Sequence, residues 1–413
     1  MRRVAFSLLV LLLLGTPTVE AARPTVTLVS APTEAKAGAA FSVTIRVRGS
    51  NLRPRVVATS ANGTTSARAQ RAGRVYRARL NVPLPGDWRI SARVGSRTVQ
   101  LATVDVRSAG ADLFEPFRVV VAPDGSLVIP NGRAHNVLRL RGGRLEVIAG
   151  NGRDGFEADG VAATSTAVGF PIDAAVAPNG DVYVVTAQRV RRVDVTNGTI
   201  STFAGTGVDG YTGDGGQAAA AQLNGPVAVA VGPSGDVFIA EGVGRIRRVD
   251  TSGVITTYAG LGHQASSGDG GAATAAEIDR PHGLTVGPDG AVYVADTYGG
   301  RIRRIDPATR TISSVASGFT TLPVHVAVAN DGSLLVAEAQ GAAISRVAGG
   351  VVTRVVGTGF RGSSGDGGQA ARARIVVPSG VAVARDGTLY VSDLDGRRVR
   401  RIDPSGRVTT VAR

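Results

Sequence analysis

The 413-residue chain contains no cysteine, few aromatic side chains and a single lysine, Lys36. Without cysteine there can be no disulfide scaffold, no thiolate metal site and no cysteine nucleophile. Aromatic residues make up 4% of the sequence, which argues against the base-stacking platforms of single-strand nucleic-acid binders. Hydrophobic residues make up 43%, a value typical of globular proteins, and only the first segment is apolar over a long run.

That first segment has the pattern of an export signal. Two arginines precede an apolar stretch over residues 4–14, and Val19-Glu20-Ala21 resembles a cleavage site. The stretch is shorter than the ~20 residues of a membrane-spanning helix. We therefore predict a signal peptide over residues 1–21, cleaved after Ala21, and a secreted, periplasmic or envelope-associated protein. A retained N-terminal anchor is the alternative.

The net charge of +14 is concentrated in one part of the chain. Residues 22–108 hold 15 basic and 3 acidic residues, whereas residues 109–413 hold 29 basic and 28 acidic residues. Such a contrast indicates a domain boundary near residue 108. It also directs the search for an electrostatic partner to the first domain.

Residues 22–108 alternate apolar and polar side chains in about seven short runs, as half-buried antiparallel strands do, and this predicts an immunoglobulin-like β-sandwich. The outward positions are rich in arginine. If the strand holding Arg46 and the strand holding Arg77 share a sheet, the resulting cationic face would attract an anionic envelope polymer, a better partner for an exported protein than nucleic acid. A solvated face without a partner is the alternative. The candidate polyanion-binding residues are Arg46, Arg48, Arg77, Arg79, Arg89 and Arg93.

Residues 109–413 contain one strand–turn–strand signature six times. The turn glycines are separated by 55, 55, 55, 42 and 55 residues, and four short apolar strands follow one another in each copy. Repetition at this period indicates stacked supersecondary units, and four antiparallel strands per copy predict a six-bladed β-propeller. The predicted fold class is therefore all-β, a sandwich followed by a propeller. The turn glycines are Gly125, Gly180, Gly235, Gly290, Gly332 and Gly387.

The repeats resemble NHL repeats. The resemblance rests on Val292-Tyr293-Val294-Ala295-Asp296 followed by Gly-Arg-Ile-Arg-Arg-Ile-Asp over residues 300–306, and it recurs at residues 237–250 and 389–403. It extends over all six copies, of which the first and fifth are degraded. It implies a propeller whose blades each begin at a central channel.

Thirteen extra residues account for the longer spacing and form four inserted loops. Three of them carry Gly-Asp-Gly-Gly before an alanine-rich stretch, and they resemble the inserted loops of bacterial and teneurin-like NHL propellers. A ligand or calcium surface is one interpretation, but each loop supplies about one carboxylate whereas Ca²⁺ takes six to eight oxygens. We favour packing against a neighbouring blade. The candidate rim residues are Asp159, Tyr211, Asp214, Asp269 and Asp366.

Several six-bladed propellers of related shape are enzymes, among them gluconolactonase-like hydrolases and peptide-amidating lyases. Alignment of the copies on the proline that opens each first strand brings Arg118, Asp173, His282 and His325 near the channel. A catalytic zinc site needs three protein ligands, and His282 is out of phase with His325. No cofactor is therefore predicted, and a divalent metal in the channel is kept as the alternative.

Acidic residues also recur at the end of the second strand, as Glu241, Asp296, Glu338 and Asp393. An arginine follows a few residues later, such as Arg301 after Asp296. Because repeat units reuse their interfaces, we interpret these acids as blade-stabilising groups.

These observations predict an exported, non-catalytic binding or scaffold protein. Its propeller would present a protein- or glycan-binding face, and its basic sandwich would dock on an anionic envelope polymer. The alternative is a channel-centred hydrolase or lyase of the gluconolactonase or amidating-lyase type. That enzyme would use the four channel residues.

Overall fold

The structure is a computed structural model that describes residues 25–31, 34–36, 40–48, 54–60, 63–72, 75–81, 86–94, 97–107 and 109–413. The predicted signal peptide lies outside the described residues. The chain divides into two compact units, one extending to Asp112 and including Thr409–Arg413, the other Leu113–Val408. Both consist mainly of β-strands, as predicted, and the described residues include no helix long and apolar enough to cross a bilayer. The second unit also has short 3₁₀ helices at Gly132–Ala134, Ala163–Ser165, Ala218–Ala220, Ala273–Ala275 and Ala370–Arg372.

The first unit contains two sheets that share one hydrophobic cluster. Apolar side chains such as Val43 and Ile45 are buried, while alternate side chains such as Arg46 are exposed, because successive residues of a strand point to opposite faces. The first sheet has the order β1-β3-β7-β6 and the second β2-β9-β8-β4-β5. The strands are β1 (Thr25–Ser30), β2 (Glu34–Lys36), β3 (Ala40–Arg48), β4 (Arg55–Ser60), β5 (Gly63–Arg68), β6 (Gln70–Ala72), β7 (Val75–Asn81), β8 (Gly86–Val94) and β9 (Arg97–Arg107), followed by β10 (Ala109–Gly110).

The second unit is a succession of six antiparallel sheets, which we number 1 to 6. Sheet 1 has β11 (Val120–Val121), β12 (Leu127–Asn131), β13 (Asn136–Arg141) and β14 (Arg144–Ala149). Sheet 2 has β15 (Val161–Ala162), β16 (Asp173–Val176), β17 (Val182–Thr186), β18 (Arg189–Asp194) and β19 (Thr199–Ala204). Sheet 3 has β20 (Pro226–Val231), β21 (Val237–Glu241), β22 (Arg245–Val249) and β23 (Ile255–Ala259).

Sheets 4 to 6 repeat this order. Sheet 4 has β24 (Pro281–Val286), β25 (Val292–Asp296), β26 (Arg301–Ile305) and β27 (Ile312–Ala316). Sheet 5 has β28 (Pro323–Val328), β29 (Leu334–Glu338), β30 (Ala343–Ala348) and β31 (Val351–Val356). Sheet 6 has β32 (Pro378–Val383), β33 (Leu389–Asp393) and β34 (Arg398–Ile402), and the chain ends with β35 (Val408–Ala412).

Tight turns join the innermost strand of each sheet to the next strand along the chain. We count strands from the innermost one, so that β16, β17, β18 and β19 are the first to fourth strands of sheet 2, and β15 is a loop segment that pairs with β19. In sheet 4 the turn residue Gly290 has φ +79°, a left-handed conformation that glycine adopts without steric cost. The backbone N–H of Gly290 donates to the carbonyl of Gly287 at 2.9 Å. The Pro-Asp-Gly sequence therefore forms the turn that its residues favour.

The inner strands of the six sheets surround one cavity of about 600 Å³. Buried apolar side chains fill the space between successive sheets. Sheet 6 is joined to sheet 1 by hydroxyl groups, since Ser379 donates to the carbonyl of Pro116 at 3.1 Å and Ser392 to that of Phe117 at 3.3 Å. Sheets 1 and 6 are therefore neighbours, although they lie far apart in sequence.

Candidate functional site

The inserted loops extend along the outer strand of the sheet that follows each of them. In the loop before sheet 3, the N–H of Gly215 donates to the carbonyl of Ile255, and the N–H of Ile255 donates to Gly216. The loop before sheet 4 makes the same pair of bonds with Ile312. Because an unpaired outer strand exposes a row of backbone groups, these loops cover edges that would otherwise be open.

A buried arginine on the third strand holds each loop in place. Its guanidinium contacts the loop aspartate, as in Arg247 Nη2 to Asp214 Oδ1 at 2.5 Å and Arg303 Nη2 to Asp269 Oδ1 at 2.8 Å. Asp214 also accepts the N–H of Thr257 at 3.0 Å. The four arginines are among the largest fully buried side chains. The pairs are Arg191–Asp159, Arg247–Asp214, Arg303–Asp269 and Arg400–Asp366.

Arginine occurs at this position only in the sheets that an inserted loop precedes. Sheets 1 and 5 lack such a loop, and strand pairing places Leu138 and Ser345 at the corresponding positions. Loop and arginine therefore form one structural unit. The sequence carried this signal in the alternation of the third strand, but the pairing register was needed to identify it.

The acids that end the second strands of sheets 3 and 4 are buried beside these arginines. In sheet 6 the buried Asp393 has Arg398 Nε 3.8 Å from its Oδ2, and in sheet 5 Glu338 accepts the hydroxyl of Ser345. Asp296 accepts the N–H of Asp279 at 2.7 Å, the hydroxyl of Ser266 at 2.6 Å and Arg303 Nη1 at 3.3 Å. Arg301 instead donates through Nε to the carbonyl of Gly299. The suggested pairing of Asp296 with Arg301 is therefore replaced by a pairing with Arg303, two residues later on the same face of the strand. Arg301 Nη1 lies 3.7 Å from the loop aspartate Asp269 instead. Burial raises the pKa of Asp296.

The loops before sheets 2 and 3 also carry exposed aromatic rings stacked on arginine. The guanidinium carbon of Arg245 lies 3.5 Å from the ring centroid of Tyr211. On its other side is Gly262, where any side chain would clash with the guanidinium. The guanidinium is thus enclosed between ring and glycine, and Nη2 donates to the carbonyl of Leu261 at 2.8 Å. Tyr211 remains 51% exposed.

The same arrangement recurs one loop earlier. Arg189 lies 4.2 Å from the ring centroid of Phe156, which is 43% exposed, and Gly207 lies on its other side. Arg189 Nη2 donates to the carbonyl of Thr206 at 2.5 Å. We call Phe156, Arg189, Tyr211 and Arg245 the aromatic rim. Each of its exposed rings contacts an arginine that also donates a hydrogen bond to a loop carbonyl.

Arg118 closes the end of the cavity at which the inner strands begin. The side chain comes from sheet 1, and its Nη2 donates to the carbonyl of His282 at 2.7 Å and to that of Val324 at 3.1 Å. Its Nε lies 4.0 Å from Asp173 Oδ1. The residues that line the cavity are mainly those toward the ends of the inner strands and in the turns that follow these strands.

The carboxyl group of Asp173 is buried and bound to backbone. It accepts the N–H of Ala174 at 2.8 Å and that of Val229 at 3.1 Å. Burial raises its pKa to about 6, although the nearby Arg118 opposes this shift. Burial likewise lowers the pKa of Arg118.

The two histidines do not face a common site. His325 lines the cavity, where its Nδ1 accepts the N–H of Val381 at 3.3 Å, and burial lowers its pKa well below the usual value. The ring of His282 packs edge-on against Tyr298, and burial lowers its pKa also. Among the residues that the structure describes, no three acidic or histidine side chains cluster as metal ligands would.

The candidate polyanion-binding arginines are divided between two sheets of the first unit. Strand pairing places Arg77 opposite Thr44 and Arg79 opposite Ser42, so β3 and β7 share the first sheet, which also holds Arg46 and Arg48. Arg89 and Arg93 belong to β8 of the second sheet. The side chain of Arg48 lies outside the described residues, and the other five are exposed.

Comparison with known proteins finds similarity to NHL domains and NHL repeats in the later part of the chain. Residues 207–267 and 358–413 match the teneurin NHL domain, and residues 279–305 match the NHL repeat. The chain is therefore an all-β protein that is similar to teneurin NHL domains and NHL repeats over these residues.

Individual teneurins show the same similarity. Teneurin-1 of Gallus gallus is 27% identical over 381 residues, covering 76% of this chain and 13% of the teneurin. Teneurin-1 of Homo sapiens is 31% identical over 232 residues, covering 46% and 8%. The chain thus spans about an eighth or less of these relatives. A solved structure described as a candidate gluconolactonase has a TM-score of 0.50 at 13% identity, covering 73% of this chain and 92% of its own, which is a likeness of fold alone.

Proposed function

We propose that the protein is an exported, non-catalytic binding protein. Its six sheets would form a closed six-bladed propeller that serves as a rigid platform, preceded by an immunoglobulin-like sandwich. The proposal rests mainly on the hydrogen bonds that the polar side chains near the channel make with the backbone. Arg118 binds two carbonyls, Asp173 accepts the N–H of Val229, and His325 accepts the N–H of Val381. These atoms therefore form structural hydrogen bonds between sheets.

The partner, a protein or a glycan, would bind at the aromatic rim. Exposed aromatic rings and arginines are enriched where binding energy is concentrated in interfaces. Stacking on a guanidinium fixes Tyr211 and Phe156 before any partner arrives, which reduces the conformational entropy lost on binding. The basic first unit would dock the protein on an anionic envelope polymer.

Crosslinking tests the rim. We expect a photoreactive phenylalanine analogue at position 211 to give a discrete crosslinked species with envelope components, whereas the analogue at Arg385, beyond the opposite ends of the inner strands, gives none. The variant Phe156→Ser/Tyr211→Ser should keep its melting temperature and lose capture by about tenfold or more, since both anchors are removed. Equal crosslinking from both positions would overturn the proposed surface.

A channel-centred hydrolase or lyase is the second candidate, because His325 lines an open cavity. If the protein is non-catalytic, purified full-length chain turns over no lactone, ester or peptidyl substrate above the rate of a His325→Ala variant. Saturable turnover that His325→Ala abolishes, in a variant with a native circular dichroism spectrum, would replace the binding proposal by the enzyme.

A further inference from the structure

The second sheet of the first unit carries three arginines side by side on adjacent strands. The pairing register places Arg55 of β4 directly opposite Arg68 of β5 on one side and opposite Arg93 of β8 on the other. All three side chains are exposed. We call them the arginine row. Neither Arg55 nor Arg68 was among the residues that the sequence pattern suggested.

Such a row is unfavourable for the sheet alone. Like charges directly opposite on neighbouring strands destabilise the pair, and strands lie ~4.8 Å apart, so three cations fall within about 10 Å. In the part of the chain that the structure describes, Arg55 donates to the hydroxyl of Ser66 at 2.9 Å, and no carboxylate contacts the row. A bound anion would relieve the repulsion and accept bidentate hydrogen bonds.

The acidic residues of this sheet lie at its other end. The register pairs Asp87 with Asp105, and Asp105 with Glu34. Asp87 lies six residues before Arg93 along β8, which is ~20 Å in an extended strand. Since this exceeds the ~10 Å Debye length at 0.1 M salt, the acids do not neutralise the row.

The strip beside the arginine row is polar and uncharged. It is polar except at Val57 in its centre, which pairs with Ser66 on one side and with Ser91 on the other, and Gln100 pairs with Ser91. Hydroxyl and amide groups suit the hydroxyls of a sugar chain. Among the described residues this strip has no aromatic side chain, so it lacks the platforms on which nucleic-acid bases stack.

We propose that the arginine row and its polar strip form a docking surface for a linear anionic polysaccharide. The inference rests on the proposed docking function of the first unit and assigns it to this sheet rather than to the first. Acidic groups of the polymer bind the arginines, and its sugar hydroxyls contact the strip. Charge complementarity with the row makes the binding depend on salt.

The test measures binding of the full-length protein to dextran sulfate, with uncharged dextran as the reference. Arg55→Gln/Arg68→Gln/Arg93→Gln should weaken binding by about tenfold or more, because three charge-assisted contacts are removed. The matched variant Arg46→Gln/Arg77→Gln/Arg79→Gln loses the same charge from the first sheet and should change binding less than about twofold. Circular dichroism and melting temperature establish that both variants fold.

The outcomes separate the two proposals. If the first-sheet variant loses binding and the arginine-row variant keeps it, the assigned surface is wrong while polymer docking stands. If the unchanged protein binds dextran sulfate no better than dextran, the docking function itself fails. Duplex DNA binding more tightly than dextran sulfate, with loss in the arginine-row variant, would replace the polysaccharide by nucleic acid.

Discussion

Replacing Arg303 by methionine is expected to lower the free energy of unfolding by about 3–5 kcal/mol at neutral pH. The side chain is fully buried between Asp296 and Asp269, and it also donates to the carbonyls of Glu277 and Ser267. Methionine preserves much of the volume but leaves the fully buried carboxyl group of Asp296 without its cation. Removing one partner of a buried ion pair costs far more stability than removing one partner of an ion pair exposed to solvent.

The adjacent residue supplies the control. Arg304 lies on the other face of the same strand, with its side chain 28% exposed, and pairs with the exposed Asp289 and the half-buried Asp306. Arg304→Met should therefore cost about 0–1 kcal/mol. Chemical denaturation of both variants measures the difference. Equal losses would contradict the view that the third-strand arginine holds the loop.

The response of Arg303→Met to pH provides a second measurement. Burial already raises the pKa of Asp296, and removal of the guanidinium raises it further. The folded variant then holds the proton of Asp296 more tightly than the unfolded chain, so its stability falls as pH rises. The deficit relative to the unchanged protein should shrink as the pH is lowered.

The sequence alone is sufficient to predict the six repeats and the all-β class of the fold. Turn glycines spaced by 55 and 42 residues mark the six sheets, and the Pro-Asp-Gly signature forms the turn expected of it. This worked because strand alternation and turn chemistry are local properties. They depend on residues that are close together in the chain.

The site depends on contacts between distant residues, which the sequence could not supply. Arg118 bonds to carbonyls 164 and 206 residues away, so alignment on the opening prolines placed it near the channel without showing that it closes one end. Arg55 and Arg68 were missed for a related reason. Their proximity to Arg93 follows from strand pairing, which the alternation within single strands does not determine.

Replacing Arg118 by methionine is the second large expected effect, a loss of about 3 kcal/mol or more at pH 7. The change leaves the carbonyls of His282 and Val324 without their donor and leaves the buried Asp173 without its nearby cation. Adding Asp173→Asn removes that unpaired charge. The double variant should therefore recover part of the stability, since a neutral buried group costs less than an isolated charge.

The unchanged protein should show the titration of Asp173 directly. Its pKa is about 6 when folded against 3.8 in the ordinary carboxyl, so between these values the folded chain binds more protons than the unfolded one. Stability attributable to this group is therefore greatest below pH 4 and falls by about 3 kcal/mol as pH rises through 6. Denaturation midpoints of the unchanged protein and Asp173→Asn between pH 4 and 7 measure the difference. Parallel pH profiles would contradict the raised pKa of Asp173. A double variant no more stable than Arg118→Met would show that Arg118 does not compensate the buried charge of Asp173.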